Sequence, residues 1–244
     1  KTLAYACENL HTAALTDPQN TVPYVGQKLP MSDLIDLPRI GTGVTMPQMQ
    51  LKRAVGRIVV RNTAPGFVLD GITAVTNVAK SSKLHNLTET LEQNIGAENL
   101  VEYRGDDSYI SDIVEADEIM PQEQTTGDNP LYVYETHTSS NDTYLIIRGR
   151  YNGESFFYKM ALVDDNRNVL NIQRNTEYIF TITSIKGRGF SSIADVKASL
   201  ASNTNLDYTI LVQDKSAYEI VSNNEYYLGV TNSHFEIYAS AGTT

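Results

Sequence analysis

From Leu170 to Ile182 the chain alternates in a way that one backbone conformation satisfies best. Leu170, Ile172, Tyr178, Phe180 and Ile182 share one parity, interrupted by Arg174 and Thr176. Asn171, Gln173, Asn175, Glu177, Thr181 and Thr183 share the other, with Ile179 the exception. Successive side chains of a strand point to opposite faces, so this spacing predicts a strand with one face on a core and the other in water. Such one-sided burial is the habit of antiparallel sheets. A basic, glycine-broken turn, KGRG, closes the stretch, and no reactive group interrupts it.

Related patterns recur along the chain. Strand-like segments run from Met49 to Val60, Phe67 to Ala79, Pro130 to Thr138, Asp142 to Asp164 and Leu206 to Asp214, with two shorter ones inside Tyr226–Ser240. Gly56 and a change of parity predict a bulge or kink in the first. Asn152-Gly153 between apolar runs is a strong hairpin signal, and SSND (Ser139–Asp142) reads as a second hairpin turn. Short helices are expected within residues 1–16, through Leu84, Leu87, Leu91 and Ile95, and through Ile193, Val196 and Leu200. The turn signal NTAPG (Asn62–Gly66) is the best domain boundary. The chain therefore reads as mainly β, an antiparallel β-sandwich architecture in two modules with short helices in loops. The modules are residues 1–64 and 65–214, with 215–244 an extension or the start of a further β element.

Bulk properties exclude several function classes. With a net charge of −10 and only 19 Lys plus Arg, the chain lacks the basic stripe that a nucleic-acid backbone requires. The same acidity disfavours anionic lipid headgroups. One cysteine, Cys7, excludes an internal disulfide framework and a cysteine-based zinc cluster. No run of about eighteen apolar residues is present to span a membrane as a helix. The 15 Tyr without any Trp suit half-buried strand faces, where a ring packs and its hydroxyl stays wet.

The search for chemistry ends without a site. His11, His85, His137 and His234 are isolated from one another, and none sits in a metal-binding frame. His137 shares a strand parity with Glu135, but a pair is not a zinc site. Asp164, Asp165 and Asp214 lack calcium-loop spacing, and turn chemistry accounts for the first two. Neither a nucleophile elbow nor a phosphate-binding glycine loop occurs. The sequence assigns no catalytic, cofactor-binding or metal-binding residue, and the expectation is a protein that is not an enzyme.

Three segments in order resemble the fimbrillin family of Bacteroidetes, the structural and accessory subunits of type V pili. MQLKRAVGRIVV is similar to a family strand through Leu51, Arg53, Val55, Gly56, Arg57, Ile58 and Val60. PLYVYET is similar to the strand that opens the hairpin of the family's C-terminal domain. Leu170, Arg174, Asn175, Tyr178 and Ile182 match a Leu-x-x-x-Arg-Asn-x-x-Tyr-x-x-x-Ile pattern, followed by Gly187 and Gly189. The resemblance implies two Greek-key, transthyretin-like sandwich domains and a non-enzymatic subunit of a surface pilus that acts in cell adhesion. It implies other pilus subunits as partners through β-strand complementation, and host or bacterial surface ligands. It also implies a lipoprotein precursor, export across the outer membrane and removal of an N-terminal strand. The chain shows neither the signal nor that strand, so it is expected to start partway into the N-terminal domain. The alternative expectation is a surface glycan-binding module that uses exposed Tyr.

Overall fold

The computed structural model describes residues 5, 7, 9–13, 29–34, 50–85, 91, 95–104, 109–115, 124–126, 131–200, 204–214, 219–222 and 227–230. Its strands are β1 (Met31–Ser32), β2 (Lys52–Arg53), β3 (Val55–Asn62), β4 (Phe67–Ala79), β5 (Leu100–Arg104), β6 (Ser111–Glu115) and β7 (Gln124–Thr126). They continue with β8 (Leu131–Tyr134), β9 (Tyr144–Tyr151), β10 (Glu154–Ala161), β11 (Thr176–Ile185), β12 (Leu206–Asp214), β13 (Glu219–Ser222) and β14 (Tyr227–Val230). Two short helices, α1 (Thr138–Asn141) and α2 (Ile193–Ala198), sit in connections. The mainly β expectation holds.

Two layers form around β3 and β4. In one layer β12, β11 and β3 lie side by side, with β8 on the first half of β3 and β7 on its second half. In the other, β10, β9 and β4 lie side by side, and β5 and β6 pair with β4. β6 also pairs with β7 and so stitches the layers together. β11 runs parallel to β3, with Tyr178 beside Ile58 and Phe180 beside Val60, so the sheet is mixed rather than purely antiparallel.

One core fills the space between the layers. Ile58 and Val60 of β3, Leu69, Ile72 and Val75 of β4, Leu145 and Ile147 of β9, and Tyr178, Phe180 and Ile182 of β11 all belong to it. The turn at Asn62–Gly66 therefore joins two strands that feed one core, and the boundary expected at residue 64 falls inside that core. Buried Asn62 holds the turn, donating to the Phe67 carbonyl at 2.9 Å and accepting from the Ala64 N–H at 3.0 Å.

Local expectations meet mixed outcomes. Asn152 and Gly153 both take positive φ, and Tyr151 pairs with Glu154, so β9 and β10 form the expected two-residue hairpin. SSND is not a hairpin turn. It forms most of α1, ended by Asp142 in the left-handed region, and it carries the chain from β8 in one layer to β9 in the other. Long-range bonds select this conformation: the Asn171 side chain accepts from the Thr138 N–H, and the Thr138 hydroxyl donates to the Leu170 carbonyl. Gly56 marks a close approach and not a bulge, because a Cβ there would meet Ile172 Cγ2 at 2.8 Å, and the β3 pairings keep register through it. α2 buries Val196 beneath a capping box of Ser192 and Asp195. It stops at Ala198, so Leu200 is fully exposed instead of continuing its apolar side. The helix expected through Leu84–Ile95 lies largely outside the described residues.

Candidate functional site

The Arg-Asn pair at the entry to β11 sits at a junction. Asn175 takes a φ of 55°, its N–H donates to the Val55 carbonyl at 2.8 Å, and its side-chain oxygen faces the Arg53 N–H at 3.4 Å. Asparagine tolerates this left-handed bend far better than most residues. Arg174 forks onto Glu135, with Nε to Oε2 at 2.9 Å and Nη2 to Oε1 at 2.7 Å, both side chains being 11% exposed. Its remaining N–H groups reach the carbonyls of Leu84 at 3.1 Å and Lys83 at 2.7 Å. That planar five-donor fork is particular to arginine. The Tyr178 hydroxyl donates to the Asn171 carbonyl at 2.7 Å and accepts from the Gln173 N–H at 2.9 Å. Burial pushes the Tyr178 phenol up to about 12. Every polar residue of the Arg-Asn-x-x-Tyr pattern thus closes one loop onto the sandwich.

The clamp also fastens an N-terminal segment. Ser82–Leu84, held by Arg174, pairs with residues 10–12 through the Thr12 N–H to the Ser82 carbonyl at 2.8 Å and the Leu84 N–H to the Leu10 carbonyl at 2.7 Å. His11 lies in that bridge opposite Lys83. Arg57 pairs with Glu177 across β3 and β11, in the sheet interior.

At the far side of the same sheet, β12 has β11 as its one strand neighbour among the described residues. Leu206, Tyr208 and Ile210 pack on the core. Val212 continues their parity yet is 44% exposed, and Leu211 on the other face is 50% exposed. The core face therefore runs out to the rim uncovered. Beside the start of β12 lies a cleft of about 390 Å³ lined by Val163, Asp164, Asp165, Arg167, Asp207 and Tyr208, among others. Asp165 Oδ1 accepts from the Ile210 N–H at 3.2 Å. Asp164 is occupied by its own turn, accepting from the N–H groups of Asn166 and Asn168, both at 2.8 Å. The Asn168 side-chain hydrogen bond, followed by these N–H groups, holds the Asp164 carboxyl below its usual range. Lys186 at 2.6 Å, then Ser184, does the same for Asp207. Such an edge can do one thing chemically: its outward N–H and C=O groups can extend the sheet.

The remaining residues singled out in the sequence are not brought together. Cys7 is buried, and His137 stands at the N-cap position of α1 without a side-chain capping bond, its Nδ1 3.4 Å from the Ser139 hydroxyl. Glu135 belongs to Arg174, while His234 lies outside the described residues. Among the described residues no group of three or more His, Cys, Asp or Glu is placed to hold a metal ion, and no helix is long and apolar enough to cross a membrane. Tyr103, Tyr134, Tyr144, Tyr158 and Tyr178 are buried, Tyr109, Tyr132, Tyr151 and Tyr208 are half-buried, and Tyr5 is exposed. Sequence reasoning missed the rim at Val212. Its available signal was Ile210-Leu211-Val212, three apolar residues in a row where one-sided burial demands alternation.

A candidate cell adhesion protein from Bacteroides eggerthii superimposes on this architecture with a TM-score of 0.54, over 88% of this chain and 72% of its own, at 12% identity. The chain has that protein's fold. The tip fimbrial protein Mfa3 of Porphyromonas gingivalis, C-terminally truncated, matches 81% of this chain and 68% of its own at 14% identity and a TM-score of 0.40. A candidate cell adhesion protein from Parabacteroides distasonis matches 67% of this chain and 52% of its own at 13% identity and a TM-score of 0.38. No family model and no curated protein matches the sequence.

Proposed function

We propose that this chain is a non-enzymatic subunit of a bacterial surface fimbria, acting in cell adhesion and joined to its neighbours by β-strand complementation. The observation that carries this reading is the fold shared with the Bacteroides eggerthii candidate adhesion protein over 88% of the chain. The rim of β12 supports it: β11 is its one strand neighbour among the described residues, and a strand edge can extend its sheet by accepting a foreign strand. Loops closed by Arg174, Asn175 and Tyr178 suit a load-bearing body. In this reading the sandwich follows Greek-key, transthyretin-like connectivity, the precursor is a lipoprotein exported across the outer membrane, and the partners are other pilus subunits and surface ligands. Tyr103, Tyr134, Tyr144, Tyr158 and Tyr178 spend their rings on packing, which disfavours the alternative of a glycan-binding platform.

Immunogold electron microscopy of the bacterium that encodes the chain, with antibodies to residues 50–214, tests the proposal. The expected result is gold along filaments at the cell surface, lost on deletion of the gene. Gold confined to the cytoplasm would reject it.

A further inference from the structure

We propose that the outer edge of β12 is a strand acceptor held shut by Asp165, and that its occupant is an extended segment of another protein carrying Lys or Arg beside an apolar pair. The inference deepens the strand-complementation reading and rests on it. β12 donates to Asp165 from Ile210, whose N–H therefore points away from β11. By the period of two, the N–H of Val212 points the same way. Asp165 Oδ1 thus stands where the carbonyl of a neighbouring strand would stand. An incoming strand that supplies that carbonyl releases the Asp165 carboxylate, which then needs a cation.

Charge selects the occupant. Asp164, Asp165 and Asp207 line the cleft against Arg167, and Lys186 pairs with Asp207, which leaves one net negative charge around the slot. The chain itself carries a net charge of −10, so edge-to-edge pairing of two copies is opposed by like charge. A foreign strand with basic residues is favoured instead. Asp165 meets β12 at Ile210, beside Leu211 and Val212, so a segment laid along β12 places its apolar pair on Leu211 and Val212 and its nearest cation within about two residues, or ~7 Å, along the strand.

Two ten-residue fluorescent peptides test this on the purified chain by anisotropy. Both have a central Val-Val in a Thr-rich frame; one carries Lys two and four residues from that pair, the other Glu at the same positions. The expected result is saturable binding of the Lys peptide about fivefold tighter than the Glu peptide, the size of one partly screened ion pair. Asp165→Ala should erase the preference while keeping binding. Val212→Pro should abolish binding and leave the circular dichroism spectrum unchanged, because it removes an outward N–H that β11 does not use. Failure of both peptides to bind, equal binding of the two, or binding untouched by Val212→Pro overturns the inference. If Asp165→Ala raises binding of both peptides while the Lys preference persists, Asp165 is only an edge guard and the cation pairing is wrong. None of these outcomes bears on whether the chain is found on surface filaments, so the two readings fail separately.

Discussion

At the residue scale, Arg174 concentrates more structure than any other described side chain. It spans Glu135, Ser82, Lys83 and Leu84, segments 39 to 92 positions away in sequence. Removing one partner of a buried pair is costly because the other charge stays desolvated. Arg174→Ala should therefore lower unfolding stability by about 3 kcal/mol in urea titration. Arg174→Lys should recover less than half of that, since one ammonium cannot replace a planar fork. A change below about 1 kcal/mol for Arg174→Ala would show the network to be energetically neutral. Arg174 and Asn175 were legible in the sequence as the polar pair of the Leu-x-x-x-Arg-Asn-x-x-Tyr-x-x-x-Ile pattern. Which carbonyls Arg174 reaches was not legible, because Lys83 and Leu84 arrive from a segment whose own pattern names no partner.

At the element scale, the alternation that predicts β11 places Tyr178, Phe180 and Ile182 in the core. The same alternation says nothing of β3, its parallel neighbour 120 residues earlier, because period fixes a face and not a partner. SSND shows the converse failure. Its residues favour a turn, and the Asn171 and Leu170 contacts convert that turn into the helical crossover between layers. The edge of β10 shows how this fold closes a rim with backbone. Phe157 and Phe190 exchange two backbone hydrogen bonds at 2.9 and 2.7 Å. They can do so because Gly189 lies against the Phe157 carbonyl, where a Cβ would also sit 3.0 Å from Tyr158 Cε1. Backbone cannot yield as a flexible side chain can, so Gly189→Ala should cost about 2 kcal/mol. Gly187, two residues earlier, has nothing within 4 Å of an added Cβ, and Gly187→Ala should stay within about 0.5 kcal/mol. Thermal melts of the two variants check the contrast, and equal melting temperatures would contradict it.

At the scale of the whole molecule, composition, charge and period were enough to expect a β-sandwich and to set nucleic-acid binding aside. They could not reveal that residues on both sides of Asn62–Gly66 share one core, since a turn between sheets and a linker between domains use the same residues. The β12 rim left one local signal, the apolar run Ile210-Leu211-Val212, but the exposure of Leu211 and Val212 belongs to the assembled layers. What remains central is the proposal that this sandwich meets its neighbours by extending a sheet. Cryo-electron microscopy of filaments purified from the cell surface tests that most directly. The expected map shows this sandwich in each repeat with a strand from a neighbouring subunit hydrogen-bonded to one of its sheets. A map in which the sandwich is present but neighbours touch only through loops and side chains would contradict it.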